Sequence, residues 1–384
     1  MGSILHIAYF HRYDDARIVY KECTSLKDTF NCEVSYITSG RNGSSTVETI
    51  NGINIKIIPL KPRRFIRLLQ YTIEVKRFVD HERPDICHIH EFVLWPLIWH
   101  IKRRKIKVFL DLHENDIFDI SEKIEKKFGK VIAKLSLSIL KLYEKRCVKL
   151  SDGVITVTPQ IMGRISKYTT AVELIANFPS LSQNSEIRDL VQVSKNINTI
   201  CFAGGISELW GIGSLVTVVG KIPNLRLILA GRSDPDYIKQ LSKETSWSQV
   251  EYLGMISHNE VLNNVYGKSG IGVALLSCKG TWLEEGTLGN TKIFEYMQAG
   301  IPVICTDFPI WKGIIEGNNC GLTVNPYDIT QIVKSIEKLR SNPKLAYEMG
   351  CNGQRAIVDK YNWENEAKKL IAFYKLNGEN FYGH

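Results

Sequence analysis

Short runs of apolar and β-branched residues recur along the chain. Most are followed by a stretch whose apolar residues return every three or four positions. In the first half the runs are ILHIAYF (4–10), CEVSYI (32–37), INIKII (53–58), ICHIH (86–90), KVFLD (107–111) and GVITVT (153–158). Between them, FIRLLQYTIEVKRFVDH (65–81) carries the helical period, with bases on its other face. The second half repeats the scheme with TICFAGG (199–205), LRLILAG (225–231), VEYLG (250–254), IGVALL (271–276) and PVICTD (302–307). Apolar strands alternating with helices predict parallel sheets covered on both faces. A chain of 384 residues exceeds what one core usually supports. The expectation is therefore α/β: two doubly wound, Rossmann-like domains facing a cleft, 1–180 and 181–384. The segment FPSLSQNSEIRDLVQVSKN (178–196) reads as the linker. Ligands of such sheets bind at the carboxyl ends of the strands, so the loops that follow strands are where chemistry is expected.

Composition, at 44% apolar and 23% charged, fits a folded globular protein rather than a disordered or fibrous one. The longest uncharged apolar run, FVLWPLIW (92–99), is far short of the roughly 20 residues that span a bilayer. The start, MGSILHIAYF, has no basic segment or cleavage site, and His6 stands where a myristoylation signal needs Ser or Thr. Nine scattered Cys without metal-ligand spacing predict buried thiols in a reducing, cytoplasmic setting. The net charge of +9 lies wholly in residues 1–180, with 29 Lys and Arg against 20 Asp and Glu; residues 181–384 carry 20 of each. Three clusters, KPRRFIRLL (61–69), KRRK (102–105) and EKIEKKFGKVIAKLSLSILKLYEKR (122–146), supply much of the excess. The last has the length of one amphipathic helix. Together they predict a peripheral contact of the first domain with an anionic membrane, on the inner face of the plasma membrane. Nucleic acid is not expected, because no recognition module or regular aromatic interleaving accompanies the bases.

The second half holds the sharpest candidate chemistry. In GTLGNTKIFEYMQAGIPVICTD (286–307), Asn290 or Thr291 caps a helix that Gly300 ends. Thr287, Leu288 and Gly289 form the preceding loop, and the helix start with Lys292 in its first turn reads as a phosphate seat. Glu295, one turn further in, suits a diol such as a ribose; a solvent-facing Glu on an amphipathic helix is the competing reading. Gly204 and Gly205 end another strand and allow close backbone approach, with Arg232 in the AGR loop as a further cation. In the first half, His113 follows KVFLD, as a proton partner or as half of a His–Asp pair with Asp111 or Asp116. Arg12 and Arg17 follow the first strand, where they face a phosphate group or only solvent, and Asp14 or Asp15 caps the next helix. His88, His90 and Glu91 lack a third metal ligand. SDPDY (233–237) contains Asp-x-Asp, but Asp234 before Pro235 reads as an N-cap rather than a metal motif. No metal site is expected.

KIFEYMQAGIPVICTD with EGNNCGLTVNP (316–326) resembles the C-terminal signature of retaining GT-B glycosyltransferases of family 4. HRYDDARIVYKECTSL (11–26), DICHIHEF (85–92), DLHEND (111–116), the run at 154–159, NFP (177–179), FAGGISELWGI (202–212) and LAG (229–231) follow in the order of that family. The resemblance implies transfer of a sugar, with retention, from a nucleotide-diphosphate donor in the second domain to an acceptor on the first. It points to a polyprenyl-diphosphate-linked glycan of a bacterial surface polysaccharide such as O-antigen or capsule. No metal or other cofactor is implied. Glu295 would be the second Glu of an E-x7-E motif and hold the donor ribose; Thr287 replaces the first. Gly205 and Trp210 stand where the family has diphosphate-binding bases, which shifts that role to Lys292, with Arg232 nearby. His113, with Glu114 as an alternative, would contact the donor sugar. The residues after Tyr361, 361–377, would form a last helix crossing back to the first domain. A nucleotide-sugar epimerase of the same architecture and a non-catalytic nucleotide-sugar binder remain the alternatives.

Overall fold

The computed structural model describes residues 2–40, 46–60, 64–113, 115–181, 196–277 and 285–378. The chain divides into two compact units, Met1–Asn177 with Glu364–His384, and Phe178–Trp363. Most of the expected linker lies outside the described residues.

The first unit is built on eight strands: β1 (Ser3–Ile7), β2 (Glu33–Gly40), β3 (Thr46–Ile50), β4 (Ile53–Pro59), β5 (Ile86–Ile89), β6 (Lys107–Leu112), β7 (Gly153–Thr156) and β8 (Val172–Leu174). Their order is β3-β4-β2-β1-β5-β6-β7-β8. All neighbours are parallel except β3 and β4, a hairpin closed by Asn51 and Gly52. Both residues have positive φ, 51° and 71°, which a two-residue turn matching the strand twist requires. The interior strands β5 and β7 are buried at every position, hence their unbroken apolar character.

The second unit has six parallel strands: β9 (Thr199–Ala203), β10 (Arg226–Ala230), β11 (Val250–Tyr252), β12 (Ile271–Ala274), β13 (Val303–Thr306) and β14 (Gly321–Val324). Their order is β11-β10-β9-β12-β13-β14. Order reverses at β9, whose neighbours are β10 and β12, and such a switch point is where open α/β sheets bind ligands.

Two helical features bear on function. The helix Trp363–Asn377 packs on the first unit: Phe373 and Tyr374 lie 5.3 and 4.8 Å from the ring of Phe109, and the Tyr374 hydroxyl is 2.7 Å from His88 Nδ1. The expected single helix over 122–146 is instead two, Asp116–Phe128 and Lys130–Leu150. Gly129 separates them at φ +86°, a conformation closed to most side chains, and its N–H caps the first helix on Glu125 O.

Candidate active site

At the carboxyl ends of β9 and β10 lies a cavity of about 390 Å3, lined by Gly204, Gly205, Gly231, Arg232, Tyr266, Thr291, Lys292 and Glu295, among others. Two glycine loops meet at its floor. Gly204 (φ +141°) donates its N–H to Ala230 O at 2.9 Å. Gly231 (φ +134°) packs so tightly that a Cβ on it would sit 1.8 Å from Gly204 O. At Gly231 the Gly204 backbone leaves no room for a side chain, and at Gly204 the backbone conformation is one that L side chains rarely adopt. A Cβ on Gly205 would meet nothing within 4 Å.

Lys292 opens the helix Lys292–Gln298 and folds over Gly204. Its ammonium stands 4.0 Å above the centre of the buried Trp210 ring and 5.5 Å from that of Phe202. The ring quadrupole attracts the cation and fixes the side chain. Burial holds the Lys292 pKa below the ordinary lysine value, with Glu295 acting in the opposite sense. Both Glu295 oxygens are tethered: Tyr266 donates its hydroxyl to Oε2 and Thr291 to Oε1, each at 2.6 Å. A carboxylate has about four acceptor positions, so two remain for a ligand in the cavity.

Three expectations change here. Thr291 does not cap the helix, since its hydroxyl is committed to Glu295. With only seven residues, the helix offers a weak dipole, and the positive charge of the cavity comes from Lys292 and the exposed Arg232. Thr287, Leu288, Gly289 and Asn290 are not among the lining residues. Gly289 donates its N–H to Thr287 Oγ1, and the Thr287 carbonyl accepts from Trp311 Nε1, so this loop is folded on itself. Two carboxylates stand close in sequence to the missing first Glu, though off register: Glu285 is exposed and not among the lining residues, and Glu284 lies outside the described residues. Sequence reasoning missed Tyr266 and the Trp210 seat. Asp234 caps its helix through the N–H of Asp236, with Pro235 in the first turn.

In the first unit, β1, β5 and β6 place His6, His88, His90 and Asp111 on one buried face. Arg17, from the π-helix Ala16–Cys23, does not face a phosphate or solvent as expected. It is 4% exposed, with Nε 2.8 Å from Glu22 and Nη2 3.3 Å from Asp111, and it donates to Ile175 O. Arg12 is exposed but held by Asp14 at 2.7 Å. Asp15, not Asp14, caps the helix, accepting from the N–H groups of Arg17 and Ile18.

Burial alone would raise the pKa of Asp111, but Arg17 and His113 hold it well below the carboxylate range. Burial pushes Glu22 well above that range, even beside Arg17. One guanidinium thus sits between two carboxyls whose pKa values are driven in opposite directions. His113 Nε2 lies 2.9 Å from Asp111 Oδ2, so the His–Asp pair forms, with His113 still partly exposed at the end of β6. His90, lowered by burial to about 4, lies 3.1 Å from His113 and 2.9 Å from His6. Glu114 lies outside the described residues.

The third ligand missing from the sequence reading is present in space: His6, Glu22, His88 and His90 bring one ligand atom each within 4.8 Å, as do His90, Asp111 and His113. The His88 and His90 rings, however, are stacked at 17°. Imidazole lone pairs lie in the ring plane, so these two point side by side rather than at a common ion. In the second set His90 Nδ1, Asp111 Oδ2 and His113 Nε2 lie 2.9–3.6 Å apart, contacts that also serve as a network fixing His113.

Two family models cover most of the chain: "Glycosyltransferase Family 4" over residues 16–181 and "Glycosyl transferases group 1" over 183–356. An uncharacterized glycosyltransferase of Methanocaldococcus jannaschii is 22% identical over 374 residues, spanning 90% of each chain. Among solved structures, sucrose-phosphate synthase from Thermosynechococcus elongatus superposes with a TM-score of 0.75 at 18% identity, covering 98% of this chain and 99% of that one. Anabaena HepE, solved with UDP and glucose, gives 0.68 at 12% identity, covering 98% and 100%. With a family 4 domain followed by a group 1 domain on two parallel-sheet, Rossmann-like units, the chain belongs to the GT-B glycosyltransferases.

Proposed function

We propose that this protein is a retaining hexosyltransferase that takes its sugar from a nucleoside-diphosphate donor. The observation that carries the reading is the cavity at the ends of β9 and β10, where the cation of Lys292, seated on Trp210, stands beside a carboxylate tethered by two hydroxyls. The cation suits the diphosphate and the free positions of Glu295 suit the ribose hydroxyls. HepE, of the same fold, was solved with UDP and with UDP-glucose. Lys292, with Arg232 at the rim, opposes the charge that develops on the departing diphosphate, so no divalent ion is needed. His113, its ring fixed by Asp111, serves the donor sugar. The acceptor is a polyprenyl-diphosphate-linked glycan of a bacterial surface polysaccharide, met at the anionic inner face of the plasma membrane. No described helix is long and apolar enough to cross a membrane, which fits a peripheral contact.

The replaced bases at Gly205 and Trp210 favour a second reading, a binder without turnover. Titration with UDP, GDP, ADP and TDP, followed by a panel of their sugars with EDTA present, separates the two. Binding with donor hydrolysis or transfer supports the enzyme; binding with neither supports the binder. An epimerised free sugar as product sinks both, as does no binding to any of the four.

A further inference from the structure

The helix Lys130–Leu150 turns two faces away from each other. Its inner face buries Ala133, Glu144, Cys147 and Val148. Its outer face exposes Val131 (84%), Leu142 (70%), Leu135 (65%), Ile139 (62%) and Ile132 (50%), and Phe128, just before Gly129, is 56% exposed. At 100° per residue, the five helical positions fall in an arc of about 100°, a continuous stripe about 16 Å long from Val131 to Leu142. Single exposed apolar residues are ordinary, but an aligned row of this size marks a surface meant to be covered.

Charge identifies what covers it. The helix carries Lys130, Lys134, Lys141, Lys145, Arg146 and Lys149 against one acid, Glu144. That acid is buried and paired with Arg164 at 2.9 Å. Lys130, Lys134, Lys141 and Lys145 fall together along one border of the stripe at the same angular spacing. A second copy of this chain, docked about a two-fold axis, would set these bases against themselves. A nucleic acid would satisfy the bases and leave the stripe in water. An interface that is apolar below and anionic above satisfies both, and this is the headgroup region of an anionic bilayer.

The other basic clusters are less suited. Lys102 is tied to Asp152 at 2.6 Å and Arg104 is paired with Asp80, which removes half of KRRK from service. Part of KPRRFIRLL lies outside the described residues, and the helix Arg64–Glu82 exposes Ile66, Leu69 and Ile73, at 43%, 61% and 42%, a shorter row than that of Lys130–Leu150.

We propose that the helix Lys130–Leu150 is the membrane-docking element, lying in the plane of an anionic lipid surface with Val131, Ile132, Leu135, Ile139 and Leu142 inserted among the acyl chains. The inference rests on the membrane reading given above and names the element responsible for it.

The test is sedimentation of the full chain with vesicles of phosphatidylcholine containing roughly a third phosphatidylglycerol, beside pure phosphatidylcholine vesicles. Leu135→Gln/Leu142→Gln removes the apolar surface without adding charge at two exposed positions. The expected result is binding to the mixed vesicles that falls tenfold or more in the double variant, with melting temperature and UDP titration unchanged. Wild-type binding equalled by the variant overturns the inference and leaves the membrane reading standing. No wild-type binding overturns both. A lipid-free dimer that the variant dissolves also overturns it, because the stripe is then an interface between copies. Failure of UDP, GDP, ADP and TDP all to bind, with stripe-dependent sedimentation intact, sinks the donor reading alone.

Discussion

Lys292→Met removes one charge while keeping the unbranched chain that lies over Gly204. If the ammonium meets a diphosphate oxygen, the lost contact is charge-assisted and part-buried, worth about 1.5–3 kcal/mol. At 1.4 kcal/mol per factor of ten, UDP should bind roughly 10- to 150-fold more weakly. Stability should move the other way or not at all. Burial already depresses the lysine pKa, so the charged form costs free energy in the empty protein, and Met relieves that cost. Trp210→Leu tests the seat: losing a cation–π contact of about 0.5–2 kcal/mol predicts a 2- to 30-fold loss with the charge still present. The sign with pH follows. A bound diphosphate restores the proton that burial disfavours, so wild-type affinity falls as pH rises through the lowered lysine value, and the Met variant lacks this slope. Calorimetric titration with UDP across pH, alongside thermal melts, reads all three. Unchanged UDP affinity in Lys292→Met would refute the assignment, as would lost affinity accompanied by lost stability, which indicates a packing role.

Gly205→Arg restores a base where the family has one, in space that is open to a side chain, and should tighten UDP binding severalfold; weaker binding would mean the backbone at Gly205 itself contacts the ligand. Asp111→Asn removes a charge partner of the buried Arg17 and should cost about 3–5 kcal/mol by chemical denaturation, whereas Glu22→Gln, replacing a carboxyl whose charged form burial disfavours, should cost less; equal costs would contradict the opposite shifts of the two carboxyls. Burial lowers the His11 pKa, but the hydrogen bond and charge of Asp15 outweigh it and raise it overall, while the same bond holds Asp15 low despite burial. The pair's stability is therefore full below the unfolded His value of 6.5 and lost as pH rises through the higher folded value, and it is lost again in acid below the unfolded Asp value of 3.8. Asp15→Asn should flatten the alkaline limb of a melting-temperature profile, and an unaltered limb would refute the coupling.

Strands buried on both faces announced themselves because their environment demands continuous apolar sequence. β3 did not: TVETI mixes polar and apolar residues at a sheet edge, and only the Asn51–Gly52 pair before INIKII marked the hairpin. The break at Gly129 was missed, although a glycine inside an amphipathic period is the signal that marks it. Lys292 and Glu295 could be read because they share one helix turn with each other and with Thr291. Their supports could not, because Trp210 reaches them from the turn Glu208–Trp210 and Tyr266 from the helix Val261–Tyr266, and no local period links such residues. The polar network was half legible. His6, His88 and His90 interrupt strands that are otherwise apolar, and His88 and His90 stand two apart, hence on one face. That they meet Arg17 and Glu22 depends on how the π-helix Ala16–Cys23 packs, which spacing does not encode. For Arg17 the sequence suggested a phosphate ligand or a solvated base, and the structure returned a core group paired with two carboxyls.

The basic surplus of residues 1–180 and the phosphate chemistry of the second unit are separate electrostatic systems. Arg17, Lys102 and Arg104 are paired with carboxylates inside the first unit, whereas the helix Lys130–Leu150 carries six bases against the single acid Glu144, itself paired with Arg164. Residues 181–384 have no net charge, so no broad field draws a donor to that cavity; a part-buried Lys292 acts at contact distance. The two systems respond differently to salt. Exposed lysines are screened over about 10 Å at 0.1 M and 3 Å at 1 M, whereas a cation held on Trp210 within a cavity is screened much less. Raising salt from about 0.1 to 1 M should therefore strip the protein from anionic vesicles while changing UDP affinity by only a few-fold. Comparing sedimentation with titration on one preparation decides the point. A UDP affinity as salt-sensitive as vesicle binding would mean that the donor phosphate is held by exposed bases, and Lys292 would lose its role.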